Sequence, residues 1–184
     1  IVPVKYIQME NGFSFENTDG DLKSFSVPSI LWKYGVSESV ELRLITEVVM
    51  ENERNETMTG LNPVTVGFKV NLSKERGIIP VTSFIGHLTT ATIGSEQFRT
   101  TYIAPSFRFA MQHTLTKRFS LAYNLGAEWN GETAEQTYIY TLTTGISLAD
   151  KLGAYAEVYG FAPVDSKPDH RFDCGLTFLV NNDF

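Results

Sequence analysis

The stretch Phe107–Trp129 reads FRFAMQHTLTKRFSLAYNLGAEW. After the polar break Thr116-Lys117-Arg118, one phase holds Phe119, Leu121, Tyr123, Leu125, Ala127 and Trp129. The other holds Ser120, Ala122, Asn124, Gly126 and Glu128. Successive strand side chains point to opposite faces, so this is a strand with one greasy face and one small or polar face. The break before it is too short for anything but a hairpin turn. Whether the greasy face meets a protein core or lipid is then the deciding question.

Working outward, the same alternation recurs. Val40, Leu42, Leu44, Thr46, Val48 and Met50 oppose Glu41, Arg43, Ile45, Glu47, Val49 and Glu51. Val64, Val66, Phe68, Val70 and Leu72 oppose Thr65, Gly67, Lys69 and Asn71, and Phe172, Cys174, Leu176, Phe178 and Val180 oppose Arg171, Asp173, Gly175, Thr177 and Leu179. Counting such runs predicts about ten strands, near 4–17, 23–35, 40–51, 62–72, 79–89, 102–115, 119–129, 138–148, 153–161 and 171–180. Pro28 and Pro80 fall inside two runs that alternate poorly and require bulges or strand ends. No helical period of useful length, low-complexity tract or linker interrupts the series, so residues 1–184 read as a single all-β domain.

Connections alternate in length. Short polar turns fall at Ser37-Glu38-Ser39, Ser73-Lys74-Glu75-Arg76, Thr116-Lys117-Arg118, Ala149-Asp150-Lys151 and Asn181-Asn182-Asp183. Longer polar stretches lie between them, at Asn17–Leu22, Glu51–Pro63, Thr89–Thr101, Asn130–Thr137 and Ala162–His170. Most of the clear strands match the ~9–11 residues that a tilted strand needs to cross a bilayer. This is the pattern of an antiparallel up-and-down transmembrane β-barrel, whose strands escape hydropathy scans built for helices. The competing reading is a secreted barrel with its apolar phase inside.

Three features favour lipid. Aromatics gather at strand ends, with Trp32, Tyr34 and Phe119 by the short turns and Trp129, Tyr138 and Tyr159 by the long loops, where interfacial girdles belong. The non-apolar phase is rich in Gly, Ala, Ser and Thr, unlike a water-facing surface dominated by Lys and Glu. The asymmetry of the connections fits a periplasmic and an exterior side. No stretch approaches the ~20 apolar residues of a transmembrane helix. With a formal net charge of −6 and no basic run, nucleic acid is not an expected partner. The lone Cys174 excludes an intrachain disulfide framework and a cysteine-based zinc site. A start at Ile1, with neither methionine nor signal peptide, fits a processed or partial product.

The segments VELRLITEVV, GLNPVTVGFKV, PSFRFAMQHTLTKRFSLAYNLGAEWNG and YTLTTGISLADKLGAYAEVYGF resemble a family of outer-membrane barrels. Its members are labelled transporter or phenol-degradation-pathway (MetA-like) protein. The resemblance runs from about Glu10 onward and implies an outer-membrane channel or uptake barrel for a small, hydrophobic or aromatic solute, with no catalytic motif to transfer. The resemblance implies one more hairpin after the position of Asp183 and so twelve strands in a complete barrel; the alternative is a ten-strand barrel closed by pairing the last strand with the first.

The chemistry to look for is therefore in the lumen. The phase assignment turns Glu41, Arg43, Glu47, Lys69, Arg108, Glu128, Glu157, Arg171 and Asp173 inward. Glu41, Arg43 and Lys69 belong near the short turns, Glu47, Arg108 and Glu157 near the middle, and Glu128, Arg171 and Asp173 towards the long loops. Such charges either set a field along a passage or pair with one another and fill the interior. Gly67, Gly126, Gly145 and Gly175 on the same face would leave room for a narrow conduit. Of the histidines, His87 has Thr89 but no serine two positions on, and His113 lies in an apolar phase near a short turn. His170 stands beside Asp165 and Asp169, a metal set or, more simply, a solvated loop. No glycine-rich phosphate loop or His-Glu-x-x-His motif is present, and neither cofactor nor catalytic activity is expected. The expected surroundings are the lipid of the bacterial outer membrane. A small solute is the expected ligand, and other outer-membrane proteins are the alternative partners if the barrel is a non-conducting accessory subunit.

Overall fold

The computed structural model describes residues 1–18, 22–53 and 56–180. Eleven strands account for most of them: β1 (Ile7–Thr18), β2 (Leu22–Ser37), β3 (Val40–Glu53), β4 (Glu56–Leu61), β5 (Thr65–Ser73), β6 (Val81–Thr89), β7 (Ala104–Thr114), β8 (Phe119–Trp129), β9 (Gln136–Ala149), β10 (Leu152–Pro163) and β11 (Asp169–Phe178). They form one antiparallel sheet in the order β1-β2-β3-β5-β6-β7-β8-β9-β10-β11, with β4 paired to β3 off this path. Sequence order and sheet order coincide, as in an up-and-down meander.

All ten strands expected from the alternation are present. Two of the expected long connections are not. Only residues 19–21 separate β1 from β2, and they lie outside the described residues, as do residues 54–55 and the turn expected at Asn181-Asn182-Asp183. Much of Glu51–Pro63 is a hairpin extension, in which β4 folds back on β3 from Val48↔Leu61 to Glu53↔Glu56. Of the remaining connections, residues 38–39, 115–118 and 150–151 are short and residues 90–103 long as expected, but residues 74–80, expected short, run longer than residues 130–135 and 164–168, expected long.

Both prolines behave as required. The register of β2 against β3 slips between Ser26 and Ser29, so Pro28 lies in an irregularity where no ladder donor is needed. Pro80 lies just outside β6.

The chain gathers into two compact units, the first comprising residues 1–70, 86–106 and 129–134, the second residues 71–85, 107–128 and 135–184. Each exposes an apolar face. On β3 in the first unit, Leu42 is 50% and Leu44 37% exposed, while Glu41 between strand and turn is 2% exposed. Met9, Phe15, Trp32, Tyr34, Met50, Val66 and Phe68 share that exposed apolar face. In the second unit Phe109, Phe119, Leu125, Tyr138, Leu142, Ile146, Val158, Phe172 and Leu176 are exposed in the same way. Rings of Phe84, Phe107 and Phe109 cluster there, with centroids 5.2–6.3 Å apart. The buried apolar residues among those described are only Val2, Val49, Ala104, Ala127 and Ile139. A water-facing protein would bury its leucines and phenylalanines and expose its charges; here the large apolar side chains are exposed in both units, and in the first unit Glu41 and Arg43 are enclosed, whereas Arg108 and Arg171 in the second remain exposed.

Candidate functional site

The chemistry lies on the opposite, polar face. In the first unit, strand pairing sets Glu41 opposite Lys69 on one side and Gly35 on the other. Arg43 faces Lys33 and Gly67, and Glu47 faces Ser29. Glu41, Arg43 and Lys69 thus gather beside the 38–39 turn, where the sequence places them. Arg43 donates from Nε and Nη2 to Glu41 Oε1, both at 2.9 Å. The other carboxylate oxygen of Glu41 accepts the Val2 N–H at 2.9 Å. Lys33 pairs with Glu10 and belongs to the cluster although its strand alternates too poorly to reveal it.

The N-terminal segment holds this arrangement from the end. Lys5 N–H donates to the Gly35 carbonyl at 2.8 Å, and Gly35 N–H donates to the Tyr6 carbonyl at 3.1 Å. A Cβ at Gly35 would sit 2.2 Å from the Pro3 carbonyl oxygen, so only glycine admits the segment this close. Lys5 supplies the turn with φ of 68°.

Further along the polar face, Glu47 accepts from Ser26 Oγ and, at 2.8 Å, from Asn62 Nδ2. It lines a cavity of about 350 Å³ with Asn62, Thr65, Thr89, Phe98 and Trp129. Thr65 and Thr89 share a hydroxyl hydrogen bond of 2.7 Å across it. Trp129 Nε1 donates to the Ala134 carbonyl at 3.1 Å, so this indole stands at the long-loop end as expected but is tied into the loop.

The second unit assembles the other five residues on one phase. Arg108 Nη2 lies 3.3 Å from Glu128 Oε2. Glu157 stands opposite Asp173 on β11 and Thr143 on β9, whose hydroxyl donates to it. Arg171 donates to Asp169 at 2.7 Å and stacks 5.4 Å above the Phe161 ring. A cavity of about 230 Å³ is lined by Arg108, Asn124, Thr141, Glu157, Tyr159 and Phe161 among others. Tyr159 therefore departs from the girdle expected for it. It lies two residues from Glu157, on the same phase, and its ring meets Phe161 edge-on at 6.2 Å. Nearness to a long loop sets a residue's height, whereas parity along the strand sets its face.

The glycines have close neighbours where a side chain would stand. A Cβ at Gly67 would meet the His87 ring at 2.2 Å, and at Gly126 the Phe107 carbonyl at 2.0 Å. At Gly145 it would meet Ser120 Oγ at 2.8 Å, and at Gly175 the Tyr155 ring at 2.7 Å. At Gly67, Gly145 and Gly175 a neighbouring side chain lies against the glycine, and at Gly126 the Phe107 backbone does.

His87 is the side chain against Gly67. His113 lies on the apolar phase as expected, its Nε2 3.4 Å from the Tyr123 hydroxyl. His170 pairs with the Tyr140 hydroxyl, also on the apolar phase, and so turns away from its neighbour Asp169. Asp165, Asp169 and His170 do not converge, and among the described residues no three His, Cys, Asp or Glu side chains are grouped to hold a metal.

No curated protein matches the sequence closely enough to name a relative. A family model does match, over residues 2–184, and its description is "Putative MetA-pathway of phenol degradation". Because the match spans nearly the whole chain, the protein belongs to that phenol-degradation-pathway family.

Proposed function

We propose that the protein is an outer-membrane β-barrel that moves a small solute passively through its lumen, with no catalytic step and no cofactor. The observation that carries this reading is the inversion on β3, where leucines are exposed and Glu41 and Arg43 are enclosed. Each strand then presents acyl chains with its apolar phase and the lumen with its charged phase. Exposed Trp32 and Tyr34 near the 38–39 turn, and exposed Tyr138 beside the 130–135 connection, stand where interfacial aromatics belong. The family description supports a small aromatic solute, and the cavity beside Tyr159 and Phe161 has apolar rings and polar groups that suit one.

Purified protein in a planar bilayer tests this directly. The expected result is a steady current, altered in Arg108→Ala because Arg108 lines the passage. No current, together with no solute flux into liposomes, would refute transport. A second reading is favoured by the paired charges: a sealed barrel acting as a structural subunit of an envelope assembly. It predicts neither current nor flux, with the protein co-purifying with a fixed partner.

A further inference from the structure

Five charged side chains share the polar face near the 38–39 turn of the first unit: Glu10, Lys33, Glu41, Arg43 and Lys69. Three are cations and two are carboxylates, so the pairing cannot be complete. Lys33 takes Glu10. Arg43 takes one oxygen of Glu41. Lys69 stands directly across the ladder from Glu41 and would be its natural partner, yet among the described residues it has no ion pair or hydrogen bond. The reason is visible at Glu41. Its second oxygen is occupied by the Val2 N–H, and its side chain is 2% exposed beneath the N-terminal segment. Lys69 is thus a half-buried ammonium within electrostatic reach of Arg43 and Lys33, and of the carboxylates Glu41 and Glu10, each of which is already paired with another cation. A cation so placed calls for a counter-ion.

We propose that Lys69 binds a small oxyanion, a carboxylate or inorganic phosphate, at this end of the polar face. Lys33 and Arg43 raise the local potential, while the Val2 N–H of the strap Val2–Tyr6 occupies the Glu41 oxygen that could otherwise pair directly with Lys69. The inference rests on this face being solvent-filled lumen. It goes beyond that reading by assigning a charge to what binds there.

The test uses the full chain folded in a neutral maltoside detergent and titrated with inorganic phosphate by calorimetry at fixed ionic strength. Wild type is expected to show saturable binding to one site, kept in Lys69→Arg and weakened at least tenfold in Lys69→Met. Gly35→Val provides an independent arm. Its side chain displaces Pro3 and with it Val2, which frees Glu41 to take Lys69, so phosphate binding should fall although every charge remains. Unfolding before electrophoresis, seen as lost heat-modifiable mobility, excludes a variant, and Lys69→Arg against Lys69→Met then decides alone. No binding to wild type, or equal binding to wild type and Lys69→Met, overturns the site. Binding through Lys69 without bilayer current would keep the site and remove the transport reading; current without Lys69-dependent binding would do the reverse.

Discussion

Glu41 is enclosed, at 2% exposure, and it is charged. Its enclosure is tolerable only because the Arg43 fork and the Val2 amide satisfy both oxygens. Glu41→Gln should therefore leave the 11%-exposed Arg43 without its counter-charge and destabilise the fold by about 3–5 kcal/mol. The urea midpoint of protein refolded into vesicles measures this. The contrasting change is Asp169→Asn: Asp169 and Arg171 are 50% and 45% exposed, so losing their pair should cost about 1 kcal/mol or less. Equal shifts for the two would mean that enclosure at Glu41 is not what gives its pair weight. Glu41 and Arg43 were legible in the sequence because β3 alternates without interruption. Lys33 was not, since the slip between Ser26 and Ser29 reverses parity along β2 and puts Ser26 and Lys33 on one face despite their odd separation.

At the scale of elements, connections and cross-strand slots fix how neighbouring strands meet. Glu75, in the connection after β5, accepts the N–H of Thr114 at the end of β7 at 2.7 Å. That backbone hydrogen bond, helped by the Thr114 hydroxyl, holds its carboxyl below the usual range. A folded value below the unfolded one means that the unfolded chain binds the proton more readily. The brace is then fully present above the ordinary glutamate value of about 4.3 and fades as pH falls through the lower folded value. Hydrogen exchange should show Thr114 protection that declines only in acid, and in Glu75→Gln the acid-dependent part should be missing. The slot at Gly175 makes a second test. Tyr155 lies over it and also opposes Gly145, an aromatic covering glycine across the ladder. Gly175→Val should expel the ring and lower the unfolding free energy by about 1 kcal/mol or more, as should Tyr155→Ala. The double variant should cost less than the sum, which a double-mutant cycle reads. The ten long strands were legible because period-2 alternation is a local signal. β4 was not, because ETMTGL is polar and its strand character comes from pairing with β3. The face of Tyr159 was misassigned because position near a loop carries no parity.

For the whole molecule, the question raised by the first strand read is what the exposed apolar face touches. A half-exposed leucine on a water-facing sheet tolerates a charged replacement, usually within about 0.5 kcal/mol. The same replacement against lipid is costly, by about 2–4 kcal/mol for arginine at the bilayer midplane and much less near the interfaces. Leu142 lies in the middle of β9, is 43% exposed and stands on the phase of Tyr140, Ile146 and Leu148. Thr143, its immediate neighbour, faces Glu157. Leu142→Arg should lose several kcal/mol in a bilayer, and Leu148→Arg, at the β9 turn end, should lose far less. The ordering Leu142 above Leu148 is what a depth-dependent apolar medium imposes, and no water-facing surface would produce it. Fluorescence-monitored urea titration in phosphatidylcholine vesicles gives both values. If the two arginines cost the same small amount, the apolar phase meets water or another protein, and the barrel-in-membrane reading falls however well the alternation fits.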